Sequence, residues 1–226
     1  MWSRLNNVFK PLLIVVAYWF LGGMFVQLTG VSPLIGTCIL NLVITALYII
    51  YRFRNKDIKS VSVNTVSANK ASSYLVLILL IFIGVWFFGQ ITGSWFYENF
   101  NPASYNAYQV SMGTDAFAAA MLTLVLAPIA EEILIRHVLY LKWRDGVNVW
   151  FAVFGQALIF ASIHGTSVHF VGTFMFALFQ VLILEFTGSL KYCILSHALY
   201  NIMSLILGGV TVPAILGLPM VFGVID

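Results

Sequence analysis

The sequence predicts an all-α protein, a polytopic bundle of seven to eight transmembrane helices. Hydrophobic residues make up 61% of the 226 residues and charged residues only 8%, which is too few to cover the exterior of a soluble globule. A helix needs about 20 apolar residues to cross the hydrocarbon layer, so this length accommodates roughly seven or eight crossings with short connections. We therefore expect residues 1–226 to form a single domain embedded in the lipid bilayer.

Hydropathy divides the chain into eight apolar segments that are candidates for these helices. The first segment follows Arg4 and Lys10 and has no small-residue cleavage signature at its end, which indicates a retained helix and not a signal peptide. The last segment is short and contains Gly and Pro, so the helix count is seven to eight. The segments are residues 11–29, 33–51, 74–92, 116–136, 149–164, 170–186, 190–207 and 212–225.

The charges of the connecting loops predict the orientation in the membrane. If the N-terminus is cytoplasmic, every Lys and Arg lies in an inner segment, whereas the outer loops hold Glu98 and Asp115 and no basic residue. The positive-inside rule produces this asymmetry. The formal net charge of +3 is spread over scattered short loops without the dense basic patch that nucleic acid requires, so no nucleic acid partner is expected.

Two adjacent glutamates enter the otherwise apolar segment 116–136. Neighbouring residues on a helix point about 100° apart, whereas residues four apart share a face, so Glu132 can pair with Arg136 while Glu131 faces elsewhere. We interpret Glu132 as structural, because either charge alone would be costly in the membrane. Glu131 has no local cation, and burial in lipid suits such a carboxylate to accept and return a proton.

Segment 149–164 ends with Phe160-x-x-x-His164, which places both side chains on one face. A single histidine at such a place is more often a hydrogen-bonded structural residue, and that interpretation stays open from the residues alone. The helix rise supports a meeting with Glu131, since a reversal at Gly146 puts Glu131 roughly 22 Å before it and His164 roughly 27 Å after it. This estimate requires the helix of Glu131 to continue past Arg136.

Segment 190–207 contains His197-x-x-x-Asn201, with a histidine and an amide aligned on one helical face. Two aligned polar groups in lipid need a partner or a task. Asn201 can donate through its NH₂ group and His197 through one ring nitrogen. Together they are suited to stabilise a developing oxyanion.

These three patterns, in this order and each within an apolar helix, resemble the motifs of the CAAX protease and bacteriocin-processing family, also called the Abi family. The resemblance covers about residues 116–207, which we take as the catalytic core, and no motif in the first three segments matches. It implies an intramembrane endopeptidase with an all-helical core. In that family pattern Glu131 and His164 activate a water, His197 and Asn201 stabilise the oxyanion, and Glu132 and Arg136, with Phe160, support the site.

The resemblance leaves the cofactor open between two mechanisms. Members have been described as metalloproteases and as metal-independent, glutamate-dependent proteases. Glu131, His164 and His197 would supply three ligands to a catalytic zinc, with water as the fourth. We favour the metal-free mechanism, because a His–Asn pair four residues apart is better suited to bind an oxyanion than a zinc ion.

The physiological substrate is inferred by analogy alone. The resemblance implies a membrane-associated peptide or protein, such as a prenylated CAAX protein, a bacteriocin precursor or a peptide pheromone. A compact chain of this kind resembles bacterial members, in the cytoplasmic membrane. Two alternatives use the same polar residues without proteolysis: a non-enzymatic bacteriocin immunity or membrane interaction protein, and a small transporter with Glu131 and His164 as a proton relay.

Overall fold

A computed structural model describes residues 2–54, 116–164 and 168–207, and all regular structure in these ranges is helical. We number the six helices of these ranges in chain order. The helices are α1 (Trp2–Thr29), α2 (Pro33–Arg54), α3 (residues 116–146), α4 (Val149–Ile163), α5 (Val168–Thr187) and α6 (Leu190–Leu207).

The predicted helices that fall on the described residues are present. Segment 190–207 coincides with α6, and α3 continues ten residues beyond the predicted end at 136, as the depth estimate required. Segments 74–92 and 212–225 lie outside the described residues, so the count of seven to eight helices stays a prediction. The single domain over residues 1–226 and the cytoplasmic N-terminus also stay predictions.

Four of the described helices are long and apolar enough to cross a membrane, and α4 is a shorter apolar helix. Their outer surfaces expose large hydrophobic side chains, such as Phe20 on α1, Leu47 on α2 and Trp150 on α4. Such surfaces are stable in lipid, because exposing large apolar side chains to water costs free energy. The chain is therefore an integral membrane protein.

Helix α3 occupies the centre of the described bundle. Its first half packs against α2 and its second half against α1 and α4, while α6 contacts its middle and α5 packs against α4 and α6. Trp143 near the end of α3 donates from Nε1 to the Val8 carbonyl of α1 at 2.9 Å. Every helix that carries a predicted site residue is thus held directly against α3 or is part of it.

Local sequence signals explain where several helices begin and end. Asn148 caps α4, since its Oδ1 accepts hydrogen bonds from the Trp150 and Phe151 amides. Gly30 and Gly188 follow α1 and α5 with φ of 67° and 63°, a left-handed conformation that residues with a Cβ rarely adopt. These turns return the chain into the bundle after each crossing.

Helix α3 departs from regular α geometry in two places next to the predicted site. Residues Leu122–Leu126 and Glu132–Tyr140 form π-helical turns, in which an amide donates to the carbonyl five residues earlier. The α-helical stretch Ala127–Glu131 lies between them and ends at the predicted general base. Glu131 and Glu132 therefore lie where α-helical geometry changes to π-helical geometry. A wider turn changes the direction in which the following side chains point.

The contact between α3 and α4 yields a first prediction. A Cβ on Gly155 would lie 2.8 Å from Cζ3 of Trp143, a buried ring already tied to α1, whereas Gly23 has open space. We expect the free energy of unfolding of Gly155→Leu to be about 1–3 kcal/mol lower than that of Gly23→Leu. Both substitutions raise the helix propensity by the same amount, but only the one at Gly155 overpacks a helix contact. Thermal unfolding of both variants in detergent measures this difference, and equal melting temperatures would contradict the described packing.

Candidate active site

A cavity of about 270 Å³ lies inside the bundle and is lined by residues from all six described helices. Helices α3, α4 and α6 bring together five of the seven predicted site residues in its wall. The remaining two, Glu132 and Arg136, are fully buried beside it. The residues with side chains in the wall are Glu131, Phe160, His164, His197 and Asn201.

The Glu131 carboxylate faces both histidines. Its Oε2 lies 3.4 Å from His164 Nε2 and 3.8 Å from His197 Nε2. The Glu131 side chain is 12% exposed, and among the described residues its Oε2 has no hydrogen-bond partner. A buried acceptor of this kind is available to a reactant in the cavity.

Glu132 binds two cations or potential cations with its two oxygens. Oε2 lies 3.1 Å from Arg136 Nε, which is the predicted pair four residues apart, and Oε1 lies 2.8 Å from His197 Nδ1. The Arg136 guanidinium carbon also lies 4.7 Å from the centroid of the Phe160 ring. Glu132 therefore links α3 to α6 and turns away from Glu131, as the helical spacing predicted.

Hydrogen bonding fixes the orientation of both histidine rings. His164 Nδ1 lies 2.8 Å from the Phe160 carbonyl, and His197 Nδ1 lies 2.8 Å from the Glu132 carboxylate. A carbonyl and a carboxylate only accept, so Nδ1 carries a proton in each ring. Nε2 of each ring then faces Glu131, with a lone pair if the ring is neutral and an N–H if it is protonated.

Asn201 is held by a backbone carbonyl of α3. Its Nδ2 donates to the Thr123 carbonyl at 2.7 Å, which assigns the amide orientation because a carbonyl cannot donate. One N–H of the carboxamide is used in this bond, and the second is left for the cavity that Asn201 lines. This arrangement supplies one fixed donor to the cavity that Glu131 also lines.

Pro128 explains why the Thr123 carbonyl is available. The π-turn pairs the Ala127 amide with the Leu122 carbonyl, so the next pair in this pattern would join residue 128 to residue 123. Proline has no N–H, and the Thr123 carbonyl therefore lacks that donor. The Asn201 side chain supplies it instead, which satisfies a carbonyl that the membrane interior would otherwise leave unpaired.

Aromatic rings enclose the two histidines. Phe160 is 1% exposed, and its ring centroid lies 4.2 Å from that of His164 and 6.0 Å from that of His197. Phe176 of α5 packs edge to face on His197 at 4.9 Å. These contacts limit the rotation of both imidazoles, and they leave the His197 side chain 5% exposed and the His164 side chain 31% exposed.

Several residues of the cavity were not singled out by the sequence analysis. Thr123 and Pro128 escaped notice because the role of a backbone carbonyl depends on a tertiary contact. Tyr18 of α1 and Asn41 of α2 also line the cavity, joined by a hydrogen bond from the Tyr18 hydroxyl to Asn41 Oδ1. A polar Asn41 within an apolar segment was the available signal, since such a residue is costly in lipid.

The donor types fit a zinc ion, but their spacing fits it only in part. Ligands placed about 2.0–2.1 Å from a tetrahedral zinc lie roughly 3.3 Å apart. The 3.4 Å between Glu131 Oε2 and His164 Nε2 agrees with this spacing, whereas the 3.8 Å between Glu131 Oε2 and His197 Nε2 exceeds it. Within ranges 2–54, 116–164 and 168–207, no three His, Cys, Asp or Glu side chains are grouped as a metal site. We therefore derive no catalytic step through a metal.

The membrane-spanning helices and the buried glutamate–histidine cluster define the class, an integral membrane protein with a polar site enclosed by its helices. Residues 113–203 match the model of a family described as "Type II CAAX prenyl endopeptidase Rce1-like". This segment contains all seven predicted site residues, and the match confirms the family resemblance. The family is a protease family, and the match therefore supports the prediction that this protein hydrolyses peptide bonds. No curated protein and no solved structure matched the chain.

The role of Pro128 gives a second prediction. Pro128→Ala restores an amide that competes for the Thr123 carbonyl, so Asn201 loses its anchor while α3 gains a hydrogen bond. We expect peptide cleavage to fall about tenfold or more with little loss of thermal stability. Pro11→Ala is the matched control, because Pro11 is a buried proline inside α1 that does not line the cavity. Full activity of Pro128→Ala would show that the Thr123 contact is dispensable.

Proposed function

We propose that this protein is an intramembrane endopeptidase, which hydrolyses a peptide bond of a membrane-associated peptide or protein through a water activated by Glu131. The observation that carries the proposal is the buried Glu131 Oε2, which has no hydrogen bond among the described residues and faces two histidine nitrogens inside a cavity. The protease family matched by residues 113–203 supports the same chemistry.

The first step is the addition of water to the scissile carbonyl. A water within hydrogen-bond reach of both Glu131 Oε2 and His164 Nε2 is oriented by two acceptors, provided that His164 is neutral. Glu131 takes one proton of this water while the water oxygen forms a bond to the carbonyl carbon. The carbonyl oxygen then becomes an oxyanion, and the carbon becomes tetrahedral.

The oxyanion requires donors on the side away from the attacking water. Asn201 supplies the N–H that its bond to Thr123 leaves unused. His197 donates through Nε2 when its ring is protonated, since Nδ1 is already committed to Glu132.

The second step breaks the carbon–nitrogen bond. Glu131 returns its proton to the amide nitrogen, the tetrahedral intermediate collapses, and the products are a carboxylic acid and an amine. Glu131 thus acts as base in the first step and as acid in the second and ends ionised as it began. The reaction consumes one water and requires no group beyond these side chains.

For the substrate we propose a peptide held at the membrane by an apolar anchor. The family description names CAAX prenyl endopeptidases, and the lipid group of a prenylated C-terminal peptide would hold it in the same bilayer as this protein. A bacteriocin precursor or a peptide pheromone has the same general chemistry. We place the scissile bond of any of them in the cavity that Glu131 and both histidines line.

A non-enzymatic membrane protein, such as a bacteriocin immunity protein, would use this cluster only to hold the helices together. Glu132, Arg136 and the Thr123–Asn201 contact serve that purpose well. Glu131 differs from this pair, because its side chain lines the cavity and is 12% exposed, whereas the Glu132 and Arg136 side chains are 0% exposed. This single group favours catalysis over a purely structural cluster.

The third prediction concerns the two glutamates. Glu131→Gln keeps the side-chain volume but removes the base, so we expect cleavage of an internally quenched peptide in detergent to fall about 10²-fold or more in a folded protein. Glu132→Ala leaves Arg136 buried without its ion pair, so we expect a loss of roughly 3–5 kcal/mol of stability together with activity.

Glu185→Gln is the matched control for this comparison. Glu185 accepts hydrogen bonds from Tyr140 and Arg144 near the end of α5 and does not line the cavity. We expect it to retain peptide cleavage. Near-normal activity of Glu131→Gln would remove Glu131 from the mechanism, and a fully stable but inactive Glu132→Ala would show that the two roles are reversed.

The fourth prediction separates the metal-free mechanism from the zinc mechanism. We expect cleavage to survive prolonged treatment of the purified protein with a strong chelator, and elemental analysis to find well under one zinc per chain. Loss of activity that added zinc restores, and that added magnesium does not, would assign Glu131, His164 and His197 as zinc ligands.

A further inference from the structure

Helices α1 and α2 lie outside the segment that matches the family model, yet they contribute to the wall of the catalytic cavity. Tyr18 and Trp19 come from α1, and Thr37 and Asn41 come from α2. Thr37 and Asn41 are four residues apart and therefore share a helical face. This polar and aromatic part of the wall belongs to helices whose other surfaces expose apolar side chains to lipid.

Tyr18 and Asn41 form a partly buried polar pair in this wall. The Tyr18 hydroxyl donates to Asn41 Oδ1 at 2.5 Å, and Asn41 is only 2% exposed. A carboxamide has donors at one end and an acceptor at the other, so its bond to one hydroxyl leaves the other end for a ligand. Tyr18 and Glu131 line the same cavity.

The proposed reaction limits the conformation of a bound peptide. In a helix, each backbone carbonyl accepts a hydrogen bond from the amide four residues later. The scissile carbonyl of a helical substrate would be engaged in such a bond and surrounded by the turns of its own helix, which hinders attack. The stretch around the scissile bond must be extended when it reaches Glu131.

An extended stretch inside the membrane has unpaired backbone N–H and C=O groups. Water satisfies such groups outside the bilayer, but inside it the enzyme must supply partners. The donors and acceptors of Glu131, His164, His197 and Asn201 are already assigned to the scissile carbonyl and the attacking water. The polar groups that remain in the described wall to bind the neighbouring peptide units include those of Tyr18 and Asn41.

We propose that Tyr18 and Asn41 bind the backbone of the extended substrate and place its scissile bond beside Glu131. This inference rests on the proposed peptidase function and assigns substrate positioning to α1 and α2. Tyr18 and Asn41 act on the peptide units adjacent to the reacting carbonyl and not on the reacting atoms. The alternative role of the pair is a simple hydrogen-bonded contact between two helices.

The experiment measures peptide binding without turnover, in the full-length Glu131→Gln protein in detergent. Two fluorescent probes of equal length are used: a farnesylated peptide with a C-terminal CAAX sequence and an unprenylated apolar peptide. Tyr18→Phe and Asn41→Leu are added separately to this background. Thr45→Val is the matched control, since the Thr45 hydroxyl bonds the Asn41 backbone carbonyl one turn away and does not line the cavity.

We expect Tyr18→Phe and Asn41→Leu each to raise the dissociation constant of at least one probe about threefold to tenfold, and Thr45→Val to change it less than twofold. In proteins with Glu131 intact, single-turnover cleavage at saturating probe should fall by a smaller factor than the affinity does. Asn41→Gln, which retains a carboxamide, should bind the probe more tightly than Asn41→Leu.

Unchanged dissociation constants in Tyr18→Phe and Asn41→Leu would overturn the inference, and so would an equal loss in Thr45→Val, which would assign the effect to packing of α2. Tyr18→Phe keeps the ring, so it tests the inference even if Asn41→Leu fails to fold. Cleavage by the unmodified protein is measured with the same probes. Binding without any cleavage would refute the peptidase function, whereas cleavage with unaltered binding in the variants would refute only the positioning role.

Discussion

The Glu132 carboxylate makes the interaction on which the rest of the site depends. One of its oxygens neutralises Arg136 within α3, and the other holds His197 of α6 at 2.8 Å. A glutamate and an arginine that are both 0% exposed are stable in a membrane only as a pair, so neither can move without the other. His197 is thereby fixed in orientation, and Nε2 is directed toward Glu131. Glu131 makes neither of these two contacts, which leaves its carboxylate for the proposed chemistry.

The backbone of α3 contributes as much to the site as its side chains do. A π-turn brings the Thr123 carbonyl out of the regular pattern, Pro128 withholds the amide that would pair with it, and Asn201 of α6 donates to it. A second π-helical stretch begins at Glu132, directly after Glu131. Irregular helix is tolerated in the hydrocarbon region only where other protein groups satisfy the freed carbonyls. Here the same contact that satisfies a carbonyl also orients a proposed catalytic donor.

Much of the described structure follows from one-dimensional patterns. Composition and hydropathy predicted the membrane helices, and the four-residue spacing predicted both the Glu132–Arg136 pair and the common face of His197 and Asn201. The contact between Glu132 and His197 could not be predicted, because the depth of α6 relative to α3 depends on packing among several helices. The π-turns also escaped prediction, since apolar residues on all sides of a buried helix give no signal of its register. Tyr18 and Asn41 belong to helices without a recognised motif and were not predicted, although the cost of an amide in lipid was an available signal for Asn41.

The most direct test of the account is the single-turnover cleavage of a bound peptide by Asn201→Ala and Asn201→Asp. If Asn201 donates to an oxyanion that exists only after attack, Asn201→Ala should lower the single-turnover rate about 10²- to 10³-fold while peptide binding, measured on the Glu131→Gln background, changes little. Asn201→Asp should have a single-turnover rate no higher than that of Asn201→Ala. An ionised carboxylate only accepts hydrogen bonds, whereas the Thr123 carbonyl and the oxyanion both require a donor. A single-turnover rate of Asn201→Ala equal to that of the unmodified protein would contradict the account and return Asn201 to helix packing.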